Sequence, residues 1–250
     1  MGEPILLLRL EGPMQAWGIR ARWDVRDTGL EPTKSGVIGL IGCAMGLRRT
    51  DPALEELDRS VRFGVRVDRP GVISTDYQTV TGYHRTASGG YKCRGNRVAK
   101  TLETAREYDE FTVVSHREYL YDARFLVGLA VCPDRRRDNP TLLEQVFDSL
   151  TRPKWPLYLG RKSCVPSRPL VDRESMNEKY AGLEDALRHE SWEAREGKGT
   201  GPRTLEVWIE CMDGGIQRQD ALRVNRMRNY DFRQCKRIEV SKDLPQGRAS

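Results

Sequence analysis

An α+β fold is predicted by three features of the sequence. Short apolar runs with strand character alternate with stretches whose apolar residues recur at helical spacing. They follow one another as strand, helix, strand, strand, then strand, helix and a further extended segment. One segment breaks that order, because residues 81 to 102 are rich in glycine and basic residues and poor in large apolar ones.

The first strand is Ile5-Leu6-Leu7-Leu8-Arg9-Leu10, broken by Gly12-Pro13. The loop Met14-Gln15-Ala16-Trp17-Gly18 follows, and then a basic stretch with Arg20, Arg22 and Arg26. Ser35 to Leu47 reads as a helix, since Val37, Leu40, Ile41, Ala44 and Leu47 share one face. Asp51-Pro52 opens a second, short helix striped by Leu54, Leu57 and Val61. Phe63, Val65 and Val67 alternate as a strand that ends at the turn Arg69-Pro70-Gly71, and Val72 to Val80 makes the return.

Within residues 81 to 102 stand Gly82, Gly89, Gly90 and Gly95 with Arg85, Lys92, Arg94, Arg97 and Lys100, and no acid before Glu103. That composition predicts a projecting, flexible loop or hairpin. Order returns at Phe111–Ser115, and the apolar end of the run Arg117 to Val131 suits a central strand. Asn139-Pro140 caps a helix carrying Leu142, Leu143, Val146, Phe147 and Leu150, and Leu157-Tyr158-Leu159 is extended after it. The sum is a ferredoxin-like β-α-β-β-α-β core with a large insertion. Beyond it, residues 174 to 203 are charge-rich and partly helical around Tyr180, Leu183 and Leu187, and Leu205, Val207 and Ile209 form a late strand.

Lys and Arg total 42 against 36 acids, a net charge of +6, so clustering of charge matters more than the sum. The six cysteines are scattered singly without a CxxC pair, which suits reduced thiols rather than disulfides or zinc. No run approaches the roughly 20 apolar residues of a membrane span, so a soluble cytoplasmic chain is expected. HExxH, paired-carboxylate, nucleophile-elbow, P-loop and dinucleotide motifs are absent, and no metal or cofactor is expected.

Thr33-Lys34-Ser35-Gly36 is unusual because a helix N-terminus is already positive and does not favour lysine. An anion at that end would explain it, and phosphate is the common one. Plain capping by Thr33 or Ser35 is the simpler reading, and the two can coexist. In the loop Gly12–Gly18, Gln15 and Trp17 either offer a hydrogen bond and a stacking face, or Trp17 simply caps the core. Gly160-Arg161-Lys162-Ser163 is either an exposed turn or a phosphate nest. The basic segment 81–102 could add salt-dependent affinity for nucleic acid, with Tyr83, His84 and Tyr91 stacking on bases.

Four blocks in this order resemble the CasD family of the type I-E CRISPR Cascade. They are Leu8–Gly18, Pro32–Leu40, Arg117-Glu118-Tyr119-Leu120 with Asp122-Ala123, and Tyr158-Leu159-Gly160-Arg161-Lys162-Ser163-Cys164. The resemblance implies an RNA-recognition-like core of the repeat-associated RNA-binding (RAMP) superfamily over residues 1–170, with a thumb hairpin at about 81–112. Residues 171–250 would be a variable extension packed on the core. Members are expected to bind the 5′ handle and first spacer nucleotides of the CRISPR RNA, cap the row of CasC backbone subunits and help seat the large CasA subunit. They meet target DNA through the assembled complex, without a membrane. The implied RNA contacts are Gln15, Trp17, Arg22, Arg26, Thr33, Lys34, Ser35, His84, Arg85, Lys92, Arg94, Arg97, Arg161, Lys162 and Ser163. No catalytic residue is implied. A type I-C relative does cut precursor RNA, which keeps a metal-independent endoribonuclease, with His84 as its acid–base group, as the alternative.

Overall fold

The computed structural model of the chain describes residues 2–19, 25–191, 203–224 and 228–242. Its principal elements are β1 (Ile5–Glu11), α1 (Lys34–Met45), α2 (Ala53–Ser60), β2 (Val61–Arg69), β3 (Val72–Gly82), β4 (Phe111–Tyr121), β5 (Arg124–Val131) and α3 (Leu142–Thr151). After them come β6 (Met176–Asn177), α4 (Leu183–His189), β7 (Arg203–Cys211), β8 (Ile216–Val224) and β9 (Arg228–Lys242).

Seven of these strands form one sheet in the order β6-β1-β5-β2-β7-β9-β8, antiparallel at every pairing. β1 and β5 lie inside it with helices on both faces, which is why both are continuous apolar runs rather than alternating ones. Leu6, Leu8, Leu10, Val127 and Leu129 pack with α1 and α3 on one face. Ile5, Leu7, Leu126 and Ala130 pack with Leu183 and Leu187 of α4 on the other. Fully burying one such side chain contributes about 2 kcal/mol, so these two layers hold the sheet together.

α1 starts where the capping residues predict. Thr33 is extended, and its Oγ1 accepts from the Gly36 N–H at 3.2 Å. The helix stops at Gly46, whose φ of 76° lies in the left-handed region. α2 is capped by Asp51, whose Oδ1 accepts from the Ala53 N–H at 3.0 Å.

Two expectations are corrected and a third is narrowed. β3 does not return against β2; it pairs with β4 from Val72↔Tyr121 to Gly82↔Phe111, and the two leave the main sheet as a ribbon. The reason is in its residues: Val72 to Gly82 is mostly polar on both sides and would bury unsatisfied groups inside a covered sheet. Of the flexible loop or hairpin expected beyond it, the structure has the hairpin. His84–Arg85, Tyr91–Lys92 and Val98–Ala99 form a small sheet. With the helical turn Leu102–Ala105 it encloses Cys93, Ala99 and Ala105, against which Tyr83 and Tyr91 pack. Leu157–Leu159 is not a strand, and the edge beside β1 is taken by Met176–Asn177 instead. Leu159 serves another purpose, accepting from the Ala16 N–H at 3.0 Å and donating to Cys164 O at 2.7 Å.

Residues from 203 onward extend the sheet from β2, with Trp208 opposite Val65 in the register. The β8–β9 hairpin is thereby laid against α1 and α2. No helix among the described residues is long and apolar enough to cross a membrane.

Candidate nucleic-acid interface

The four sequence blocks meet at one place. Gly160, with φ 96°, sits so close to the Leu8–Gly18 block that an added Cβ would lie 1.8 Å from the Ala16 carbonyl oxygen. Gly36 supports the Trp17 ring, since a Cβ there would lie 3.0 Å from it. The Trp17 N–H donates to Thr28 Oγ1 at 2.8 Å, and the Thr28 N–H donates to Glu118 Oε2 at 3.2 Å. Arg161 closes the ring, donating to the carbonyls of Glu118 (2.7 Å), Arg26 (2.9 Å) and Asp27 (3.2 Å) while its guanidinium stacks 4.7 Å from the Tyr119 ring centre. Together they bound a cleft of about 900 Å³ whose walls include Trp17, Arg26, Ser35, Gly36, Arg49 and Arg161.

Several residues expected to touch a ligand are instead framework. Gln15 is buried, donating to Ala123 O at 2.9 Å and Leu10 O at 3.3 Å while accepting from Trp17 Nε1 at 3.0 Å. Trp17 is 1% exposed, so it offers no stacking face. Arg161 is occupied by carbonyls and Tyr119, Thr33 caps α1, and Ser163 donates to the Tyr119 hydroxyl at 3.4 Å. Gln15, Trp17 and Arg161 thus shape the cleft rather than fill it.

Lys34 is the clearest correction. It is 3% exposed, with Nζ 3.0 Å from both Glu210 oxygens and 3.9 Å from Asp58. Its backbone N–H donates to Asp220 Oδ2 at 2.8 Å. An anion does stand at this helix N-terminus, as the misplaced lysine required, but it is supplied by the protein's own C-terminal strands. Asp220 is in turn gripped by Arg233, at 2.6 and 2.9 Å.

Arg26 and Lys162 remain open, and Ser35 lines the cleft although it is only 6% exposed. Arg26 and Lys162 are exposed without an ion pair among the described residues, and the Ser35 N–H and hydroxyl have no partner among them. Arg22 lies outside the described residues. The remaining five candidates stand on the ribbon and its tip, apart from the cleft lining. There Arg85 stacks on Tyr91, Lys92 on Phe111 and Arg97 on Tyr108, Arg94 pairs with Asp109, and His84 Nε2 lies 3.0 Å from Val80 O.

Sequence reasoning missed Arg49, Gln219 and Tyr230, which also line the cleft. The Arg48-Arg49 pair after α1 was a visible signal for the first. Nothing local announced the other two, since a long-range strand pairing brings them there. A second cavity of about 620 Å³ adjoins the first through Ile19, Gln219 and Tyr230.

Beneath the cleft, burial pushes the Asp58 carboxyl up to about 6, against the opposing pull of Lys34. Its Oδ1 has no hydrogen-bond partner among the described residues. The folded state therefore holds this proton more tightly than the unfolded chain, whose carboxyl titrates near 3.8. Stability from this group is fully present below pH 3.8 and is lost as pH rises through about 6. Over that window the loss amounts to about 3 kcal/mol. Asp58→Asn is expected to remove it, so that variant minus wild-type stability rises by roughly that amount between pH 4 and 7 in urea titrations. A difference that does not change with pH would refute the assignment.

Comparison with known proteins gives consistent matches. Residues 5–243 match the family described as CRISPR-associated protein (Cas_Cas5). The chain is 36% identical over 169 residues to the CRISPR system Cascade subunit CasD of Escherichia coli (strain K12), covering 66% of this chain and 68% of that one. A chain of a CRISPR RNA-guided surveillance complex superposes with a TM-score of 0.68 at 29% identity, over 98% of this chain and 95% of that one. A crystal structure of a Cas protein superposes at 0.63 with 31% identity, over 94% of each.

Proposed function

Because the chain belongs to the CRISPR-associated Cas_Cas5 family, we propose that it is an RNA-binding structural subunit of a type I-E Cascade, working in the cytoplasm. It grips the 5′ handle and first spacer nucleotides of the CRISPR RNA, caps the CasC backbone, helps seat CasA, and meets target DNA only through the complex. The observation that carries this reading is the cleft, which Arg26 and Arg49 line together with Ser35 at the N-terminus of α1. Lys162 stands one residue beyond Arg161, which lines that cleft. Unpaired cations around a helix N-terminus suit the phosphates of a single strand, whose unstacked bases are then open to direct readout.

The sheet order supports a RAMP-type ferredoxin-like core. Counting β1, β2, β5 and β6 as strands one to four, the order β6-β1-β5-β2 is four-one-three-two, with α1 and α3 as the crossovers. Residues 1–170 then hold most of that core, about 81–112 the outer thumb, and 171–250 an extension that supplies its edge strand and Lys34's counter-ions.

The endoribonuclease alternative is less well supported, because His84 sits on the thumb and not among the residues that line the cleft. Incubating the pure chain with repeat RNA in EDTA tests both readings. Intact RNA, bound in preference to a scrambled sequence, is expected. Cleavage that disappears in His84→Ala would establish the enzyme instead.

A further inference from the structure

Besides the ribbon tip, where Arg85, Arg97 and Lys100 also lack ion pairs among the described residues, a second patch of positive charge lies at the end of α1 and borders the cleft. Arg48, Arg49, Arg152 and Lys154 are exposed and have no ion pair among the described residues. Other surface arginines, such as Arg59, Arg188, Arg223 and Arg237, are paired with carboxylates. The four lie in two segments that the fold ties together. The Lys154 N–H donates to Ala44 O at 2.8 Å, Cys43 Sγ donates to Pro156 O at 3.4 Å, and the Lys154 side chain lies over Gly46.

Between Pro153 and Pro156 the chain holds Trp155 43% exposed. Charge at the C-terminal end of α1 complements the helix dipole, and that alone would explain a lysine. It does not explain a large aromatic ring kept in solvent between two residues that stiffen the backbone. An exposed indole among unpaired cations is the arrangement that holds single-stranded nucleic acid, with the ring stacking on a base and the cations on phosphates. Arg49 lines the cleft as well, so the patch continues it.

We propose that Arg152, Lys154 and Trp155, with Arg48 and Arg49, form a second contact for the guide RNA as its strand leaves the cleft. The proposal rests on the reading that the cleft holds RNA. An acidic protein partner is the competing occupant.

The test uses the full chain, handle RNA, and the same RNA lengthened by about eight nucleotides at either end, with single-stranded DNA of equal length alongside. Trp155→Ala, and separately Arg152→Ala with Lys154→Ala, are expected to weaken binding of one lengthened RNA roughly tenfold while leaving the handle alone within about twofold. Trp155→Phe should restore most of the loss. Lengthened RNAs that bind all variants like wild type would overturn the proposal in favour of a protein partner. A Trp155 effect seen only with DNA would overturn the guide-RNA assignment. Substituting Arg26 and Lys162 reports on the cleft independently, because neither belongs to this patch.

Discussion

Lys34→Ala is expected to destabilise the fold by about 3 kcal/mol and to leave the salt dependence of RNA binding unchanged. Lys34 compensates Glu210 and Asp58 in a site where its own side chain is 4% exposed and Asp58's is 3%. Removing one partner of a buried ion pair strands the other, at a typical cost of 3–5 kcal/mol. The lower end applies because Glu210 is 21% exposed and also accepts from the Phe63 N–H. The damage should spread to β7, since the Lys34 side chain ties α1 to Glu210 there, whereas the backbone N–H bond to Asp220 survives the substitution. Urea unfolding measures the loss, and Lys34→Met with Glu210→Gln should recover part of it. A fully stable Lys34→Ala whose RNA affinity falls with a flatter salt slope would mean that the lysine faces RNA after all.

Where periodicity was strong, the sequence was a reliable guide to the fold. α1, α3, the buried strands and the late strand at Leu205–Ile209 stand where apolar spacing puts them, although α3 begins at Leu142 after Thr141 and is not capped by Asn139. The pairing of β3 was not legible, because a strand's residues do not say which neighbour it chooses. Leu157–Leu159 looked extended for a different reason: it packs its backbone against Ala16 instead of a sheet.

The candidate site was legible in location and illegible in role. Gln15, Trp17, Lys34 and Arg161 are all at or beside the cleft, but each had a partner that only the folded chain supplies. For Lys34 that partner lies 176 positions away. A sequence shows that a charge needs an opposite charge, and not whether the protein or a ligand brings it. Arg49 carried only the weak signal of the Arg48-Arg49 pair, which reads first as a solvated surface.

That distinction decides which residues should govern RNA binding. Arg26, Arg49 and Lys162 are cations at the cleft and its adjoining turn that have no ion pair among the described residues. Each should contribute as a phosphate contact, about 1 kcal/mol and a released counterion. Their joint replacement by alanine is expected to weaken handle-RNA binding about a hundredfold with no loss of stability, because none holds the structure together by its side chain. The most direct measurement is the slope of log affinity against log salt for the wild type and this triple variant. The account predicts a slope shallower by about 2, at roughly 0.7 per lost contact to a single strand. An unchanged slope and affinity would contradict it and place the RNA elsewhere on the protein.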